Sequence, residues 1–331
     1  MSTTFGQADH HYAVDQAAYF RTYPKPLTEM EKRFARLLER HDTGLKDQVE
    51  RAFKQWNSIV RGHLRDETAL KLTVGDDMQA VPVRVRDGLP KPLADILAGF
   101  DERVWSFLLN RGVLEGSGQG LAYLQDEFEW LSAWEPISPS PAQFDEVQNT
   151  SLLIGCLLEE IRKLNILEQI RAINQDVLGA YFFRVPEVQL YWMVIGFFAG
   201  WLGVPPDALT VSVAAHELAH AYTHLGRDLN REQWDTVAFA QTENAIVEGL
   251  AQFYTHVICK KLESRFPAAY HAYEALLSIQ SGPYTIHKEW LKDSDAAGEV
   301  IRYSMVECRS KRIKDIASFE LVRQKHLSEL T

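Results

Sequence analysis

The chain has 331 residues, of which 46% are hydrophobic and 24% charged, and a formal net charge of −10. That length suits one large or two ordinary globular domains whose core needs no disulfide support, and the acidic balance argues against nucleic-acid partners, which require a concentrated basic face. Its three cysteines, Cys156, Cys259 and Cys308, are odd in number and widely spaced, which excludes a disulfide framework or a CxxC metal knuckle and fits a reducing, cytoplasmic compartment.

The first nine residues have neither the basic nor the apolar region of a signal peptide. Residues 25–66 read as two amphipathic helices. Thr28 and Glu31 form a capping box, Met30, Phe34, Leu37 and Leu38 share a face, and the break falls at Thr43-Gly44. Val49, Phe53, Trp56 and Val60 repeat the helical spacing. Residues 69–86 suggest a hairpin turning at Gly75-Asp76-Asp77. Val81, Val83 and Val85 alternate along one arm, and Pro82 places that arm at an edge. A helix over 93–110 follows, then a glycine-rich stretch at Gly116–Gly120. The stretch lacks the lysine and spacing of a phosphate loop and reads as a connector.

Ser138-Pro-Ser-Pro141 is the expected linker. It divides a mixed N-terminal region, 1–141, from a domain at 142–331. The domain opens with a helix over 144–175 carrying Leu152, Leu153, Leu157, Leu158, Ile161 and Leu164. Strands at Leu178–Arg184 and Val188–Trp192 come next, then a helix from Met193 to Leu202 that stops at Gly203. The uncharged run Val188–Pro206 is long enough to cross a bilayer, but its glycines and Pro205-Pro206 favour a buried strand and helix over stable membrane insertion. The basic C-terminal residues Arg302, Arg309, Lys311, Arg312 and Lys314 alternate with Glu307 and Asp315 and predict a solvated helix face.

The helix expected over Leu209–Leu225 carries His216-Glu217-Leu218-Ala219-His220. Histidines four apart lie one above the other, so both imidazoles can meet one ion. Zn2+ accepts such nitrogen ligands, and Glu217 is placed to take a proton from a water that the metal activates. Ala214, Ala215, Leu218, Ala219 and Ala221 make the surround apolar, where charged groups need a partner. Hydrogen-bonded core histidines beside a structural glutamate are the plain alternative.

A third ligand is sought in the next helix, expected from an N-cap at Thr242 to Leu262. Glu243 and Glu248 point about 140° apart, so one ion cannot take both. Glu248 is preferred because Ala245, Gly249 and Ala251 would let its helix approach the histidine helix, whereas Glu243 suits the helix dipole. His224 shares the histidine face one turn further, about 6 Å along the axis, and is expected at the surface or behind the ligands.

These residues resemble the zincin metallopeptidases, and within them the gluzincins, which combine HExxH with a glutamate from a downstream helix. The matching positions are His216, Glu217, His220 and Glu248, and the resemblance spans about residues 176–262. The downstream motif lacks the Asn-Glu-x-x-x-Asp form and closer spacing of the thermolysin type. The resemblance implies an α+β, helix-dominated zincin-like domain, a small sheet whose edge strand lies beside the HExxH helix, and a polypeptide substrate pairing with that strand. Val188–Trp192 is the expected edge and cleft floor. An oxyanion donor is sought among Tyr254, His256, Tyr284, His287, Arg302 and Tyr303, with Tyr284 and His287 preferred as the far wall. The N-terminal region matches no family and would recruit substrate, bind a regulatory partner or wall the cleft. Two alternatives to a metallopeptidase stay open: another zinc amidase of the deformylase kind, which a small closed pocket would favour, and a non-catalytic interaction or sensor protein with a structural or lost metal site.

Overall fold

The computed structural model describes residues 26–72, 81–131, 140–171, 177–292 and 296–330. Helices dominate around one three-stranded sheet, an α+β arrangement. Helix α1 (Glu29–His41) begins with the expected capping box. Thr28 Oγ1 accepts from the Glu31 N–H, and the Glu31 carboxylate accepts from the Thr28 N–H at 2.8 Å. Gly44, at φ 73°, turns the chain into α2 (Leu45–Thr68), which buries Val49, Val60 and Leu64.

The expected hairpin is not the pairing found. Its turn lies outside the described residues, Lys71 bridges Arg227 instead, and β1 (Val83–Arg86) runs parallel to β3 (Glu187–Tyr191), with Val83 opposite Val188. Alternation marks a half-covered strand and leaves its partner open.

The helix expected over 93–110 is two helices, α3 (Lys91–Ala98) and α4 (Glu102–Leu109). The Asp101 carboxylate starts the second by accepting from the N–H groups of Arg103 and Val104. The glycine-rich stretch is the middle of α5 (Arg111–Leu131), not a connector. Gly118 alone of its three glycines faces a neighbour: a Cβ there would lie 3.3 Å from Ile154 of α6 (Pro141–Lys163). Residues 138 and 139 lie outside the described residues. The second half of the expected linker is a helix start, with Ser140 and Gln143 forming a capping box. The helix expected to reach 175 breaks at Asn165, φ 52°, before α7 (Ile166–Arg171). Leu152 and Leu153 are exposed rather than core.

Strand β2 (Gly179–Phe182) pairs antiparallel with β3, and the sheet order is β1-β3-β2. Val188–Trp192 is therefore not an edge. Its strand portion is the centre of the sheet, paired on both sides, and Trp192 already begins α8 (Trp192–Leu202). The edge strand against the HExxH helix is β2. Hydrophobic pattern identifies a covered strand and cannot separate a central strand from one edge of three.

Helix α8 ends at Gly203, φ 68°, and α9 (Pro206–Leu225) follows at 119° to it. No single helix among the described residues is long and apolar enough to cross a membrane. Helix α9 is buried from Ala208 to His224. It packs against α2, β2, α11 (Asn244–Leu262) and α12 (Pro267–Ile279). The short α10 (Thr236–Ala240) precedes α11, and α13 (His287–Trp290), α14 (Ala297–Lys311) and α15 (Ile316–Leu330) complete the chain. One hydrophobic core runs from Phe34 to Phe319, so residues on both sides of position 141 build it.

The basic C-terminal stretch is only partly solvated. Arg309 is buried, and its Nη2 donates to the carbonyls of Gly226 at 2.6 Å and Glu232 at 2.8 Å, tying α14 to the end of α9. His224 is a core residue, neither at the surface nor behind the metal ligands. Tyr181 Oη lies 2.9 Å from its Nδ1, Thr236 Oγ1 lies 3.2 Å from its Nε2, and Phe239 stacks on the ring.

Where α5 crosses the end of α8, main chain meets main chain: a Cβ on Gly112 would overlap the Gly203 backbone. Gly112→Ala is expected to destabilise the protein by about 1–3 kcal/mol in urea titrations, because no side chain can rotate away. An unchanged midpoint would contradict this contact. Burial, then the nearby Arg309 charge, lowers the His224 pKa to about 3. The unfolded chain binds that proton near pH 6.5 and the folded one refuses it. Stability therefore falls by up to about 1.4 kcal/mol per pH unit as pH drops from 6.5 toward 3. Imidazole nitrogen shifts should report a neutral His224 at pH 5, and a midpoint above 6 would overturn the assignment.

Candidate metal centre

Two turns of α9 and one side chain of α11 meet inside the core. The Nε2 atoms of His216 and His220 lie 3.2 Å apart, and Glu248 Oε2 lies 3.2 Å from the first and 3.4 Å from the second. All three residues are buried and could hold a metal ion. Tetrahedral ligands at about 2.0–2.1 Å from an ion stand roughly 3.3–3.4 Å apart. The three separations match that spacing, so the donor set fits a small divalent cation without rearrangement. Burial raises the pKa of Glu248, but the two histidines more than offset this and hold it below the usual carboxylate range. The carboxylate is therefore ionised, as a ligand must be.

Glu243 does another job. Its backbone N–H donates to Lys314 O at 2.8 Å, and its carboxylate accepts from the Ile316 N–H at 2.8 Å, capping the start of α15. It is also the N-cap of α11 itself. Thr242, the expected cap, donates back to Ala238 O and belongs to the preceding turn. The small residue beside the ligand works differently from expectation. A Cβ on Gly249 would lie 2.6 Å from both Ile286 and Trp290, so Gly249 admits the segment after α12 rather than α9.

Glu217 is buried on the sheet side of α9. A Cβ on Gly179 would come within 2.8 Å of its Cγ and 2.9 Å of its Oε1, so β2 can approach only because position 179 has no side chain. The 3-10 turn Gly282–Thr285 brings the Tyr284 ring beside His216, with centroids 6.2 Å apart. His287 sits behind that turn, fully buried, with its Nε2 2.8 Å from Tyr273 Oη. Burial first, and then neighbouring His256, lowers its pKa to about 4, which keeps it neutral.

The other donor candidates are engaged elsewhere. Arg302 Nε donates to Glu67 O, Tyr303 is exposed against His326, Tyr254 Oη meets Met305 Sδ at 4.0 Å, and His256 packs against Tyr270 and Tyr273.

Next to the cluster lies a small cavity of about 30 Å³, on the scale of a few water molecules. His216, Glu217, Val213 and Ser212 of α9 form one wall and Val177, Leu178 and Gly179 another. Gln252 and Thr255 of α11, with Tyr273, Leu276 and Gln280, close the far end. None of the metal-cluster residues or Glu217 is more than 8% exposed. Val188–Trp192, expected as the cleft floor, does not line this cavity, and the strand that reaches it is β2, through Gly179. Gln252 and Tyr273 escaped the sequence reading, although Gln252 stands four residues after Glu248 on the same helix face, a spacing that could have found it.

Two substitutions separate the glutamates. Glu248→Ala is expected to weaken metal binding at least tenfold in competition titrations, whereas Glu243→Ala should leave it unchanged and destabilise the fold by about 1 kcal/mol through the lost cap. The opposite pattern would move the ligand to Glu243. No protein-family model, curated protein or solved structure matches this chain.

Proposed function

We propose that the chain is a zinc-dependent amide-bond hydrolase of the metallopeptidase kind, acting on a polypeptide. The observation that carries the proposal is the spacing of His216, His220 and Glu248, with Glu217 on the next position of the same helix beside a cavity. Two imidazoles and one carboxylate suit zinc in tetrahedral coordination and leave one position for an exchangeable group. Bound there, zinc supplies Lewis acidity toward the substrate carbonyl and the attacking water.

The protein's own groups do the rest. Glu217, fixed between α9 and Gly179, accepts the proton of the attacking water and later delivers it to the leaving nitrogen. The Tyr284 hydroxyl is the donor to the oxygen that gains charge, because its ring already stands at His216. His287 acts through position: its bond to Tyr273 holds the turn that carries Tyr284. The unpaired thiols Cys156, Cys259 and Cys308 support a reducing, cytoplasmic setting.

The closed cavity supports a second reading, a deformylase-like amidase that cuts a small acyl group from a larger chain. Both share the chemistry and differ in how much substrate enters.

Purified protein is expected to carry about one zinc per chain, lost in His216→Ala and His220→Ala. Glu217→Gln should keep the zinc and lower kcat/KM by about 10²–10⁴, since it removes the base and leaves the ligands. Full activity in that variant would sink the mechanism. Digests of peptides with free and formylated N-termini then separate internal cleavage from deformylation.

A further inference from the structure

Among the described residues, the sheet keeps an open edge at β1, which pairs with β3 on one side only. The Val188 N–H donates to Pro82 O at 2.8 Å, and in a parallel ladder the residue after a bonded one turns its amide groups the other way. The Val83 N–H and C=O therefore point away from β3. By the same alternation the Val81 carbonyl faces that outer side, where Arg61 Nη2 of α2 donates to it at 2.7 Å. An open groove of about 620 Å³ is bordered by α2 and this edge, within the roughly 300–1,000 Å³ of ligand sites. Phe53, Asn57, Arg61 and Arg65 line it from α2, Val81–Val83 from the strand side, and Tyr222 from α9.

In a chain of net charge −10, the groove carries two arginines and, among the described residues, no acid. Arg61 is half-buried, and Asn57 Oδ1 accepts from its Nε at 2.7 Å. Two neutral oxygens thus fix the guanidinium, and its Nη1 has no partner among the described residues. Burial lowers its pKa, and the group that counters this is Tyr222, not a carboxylate. Arg65 stands one turn further on the same face, exposed, with its Nε 3.1 Å from the neighbouring Asp66.

We propose that this groove binds an extended peptide segment that adds a strand to β1 and places a carboxylate on Arg61 and Arg65. Val83 offers the main-chain pairing that strand addition uses. Phe53 and Val83 give an apolar surface for a side chain. A guanidinium already held by Asn57 and Val81 loses little freedom when it takes up a carboxylate. A free anion would use the arginines and leave the strand edge bare, and a neutral peptide would do the opposite. The groove shares no lining residue with the cavity at Glu217, and the inference does not rest on the hydrolase reading.

The test titrates full-length protein by NMR with three acetylated tetrapeptides: Val-Thr-Val-Gln amide, Val-Thr-Val-Glu amide and Val-Thr-Val-Gln free acid. Acetate is the fourth probe. At least one carboxylate peptide is expected to bind about tenfold more tightly than the neutral amide, the scale of a hydrogen bond to a charged group. Which one does so separates an acidic side chain from a chain terminus as the source. Binding should also slow hydrogen exchange at the Val83 N–H. Arg61→Gln should abolish the preference and Arg65→Gln should reduce it. Equal binding of the three peptides, no binding, acetate as tight as a peptide, unslowed exchange at Val83, or a preference kept in Arg61→Gln would each overturn the proposal. If Arg61→Gln does not fold, the exposed Arg65→Gln carries the variant arm, and a preference unchanged there overturns it.

Discussion

An ionised carboxylate of α11 set between two imidazoles of α9, a helix buried from Ala208 to His224, is the constraint around which the rest of the fold is arranged. Glu248 is buried yet held in its charged form by His216 and His220. A charge in an apolar interior needs compensation within a few ångströms, and the compensating groups must be held rigidly, since small displacements forfeit most of the gain. Helix α9 supplies that rigidity by being enclosed on all sides. Helix α2 packs along it from the N-terminal half, α11 and α12 from the other side, and β2 lies across it. Arg309 closes its C-terminal end by taking up the Gly226 carbonyl. The N-terminal half is thus part of the scaffold of the His216–His220–Glu248 cluster.

The legible part of this arrangement was the part written in local spacing. Histidines four apart, the Thr28–Glu31 box and the glycine stops at Gly44 and Gly203 depend on neighbours within one or two turns, and each forms as its spacing implies. Partners distant in sequence were not legible. Nothing in Val83–Arg86 announces a parallel partner a hundred residues away, and nothing in Val188–Tyr191 separates a central strand from an edge. Gly116–Gly120 misled for a related reason. Isolated, the segment lacks helix propensity; in the fold it is carried inside α5, where only Gly118 meets α6 and Gly116 and Gly120 have open space beside them. The angle between Glu243 and Glu248 showed that only one of them could join the histidines, and of the small residues that favoured Glu248, Gly249 faces Ile286 and Trp290 instead of α9.

That last contact holds the segment that brings Tyr284 beside His216. Tyr284 stands on a 3-10 turn entered through Gly282 at φ 60°, a form resembling a hinge. The segment that follows is firmly anchored. Trp290 lies against the Gly249 backbone, packs on Phe319 and donates from Nε1 to Glu320 at 2.7 Å, while His287 is bonded to Tyr273. Tyr284 therefore has its downstream neighbours fixed to the same helix that carries Glu248, one residue away from the ligand. Tyr284 and Glu248 are thereby tied to one framework. The cavity lies on another side of the cluster, between α9, α11, α12 and the Val177–Gly179 segment. The side formed by Val177–Gly179 meets α9 through a glycine whose contact is with Glu217 itself. The absence of a side chain at Gly179 therefore sets how closely the sheet approaches Glu217, whereas His216, His220 and Glu248 are held together by α9 and α11 alone.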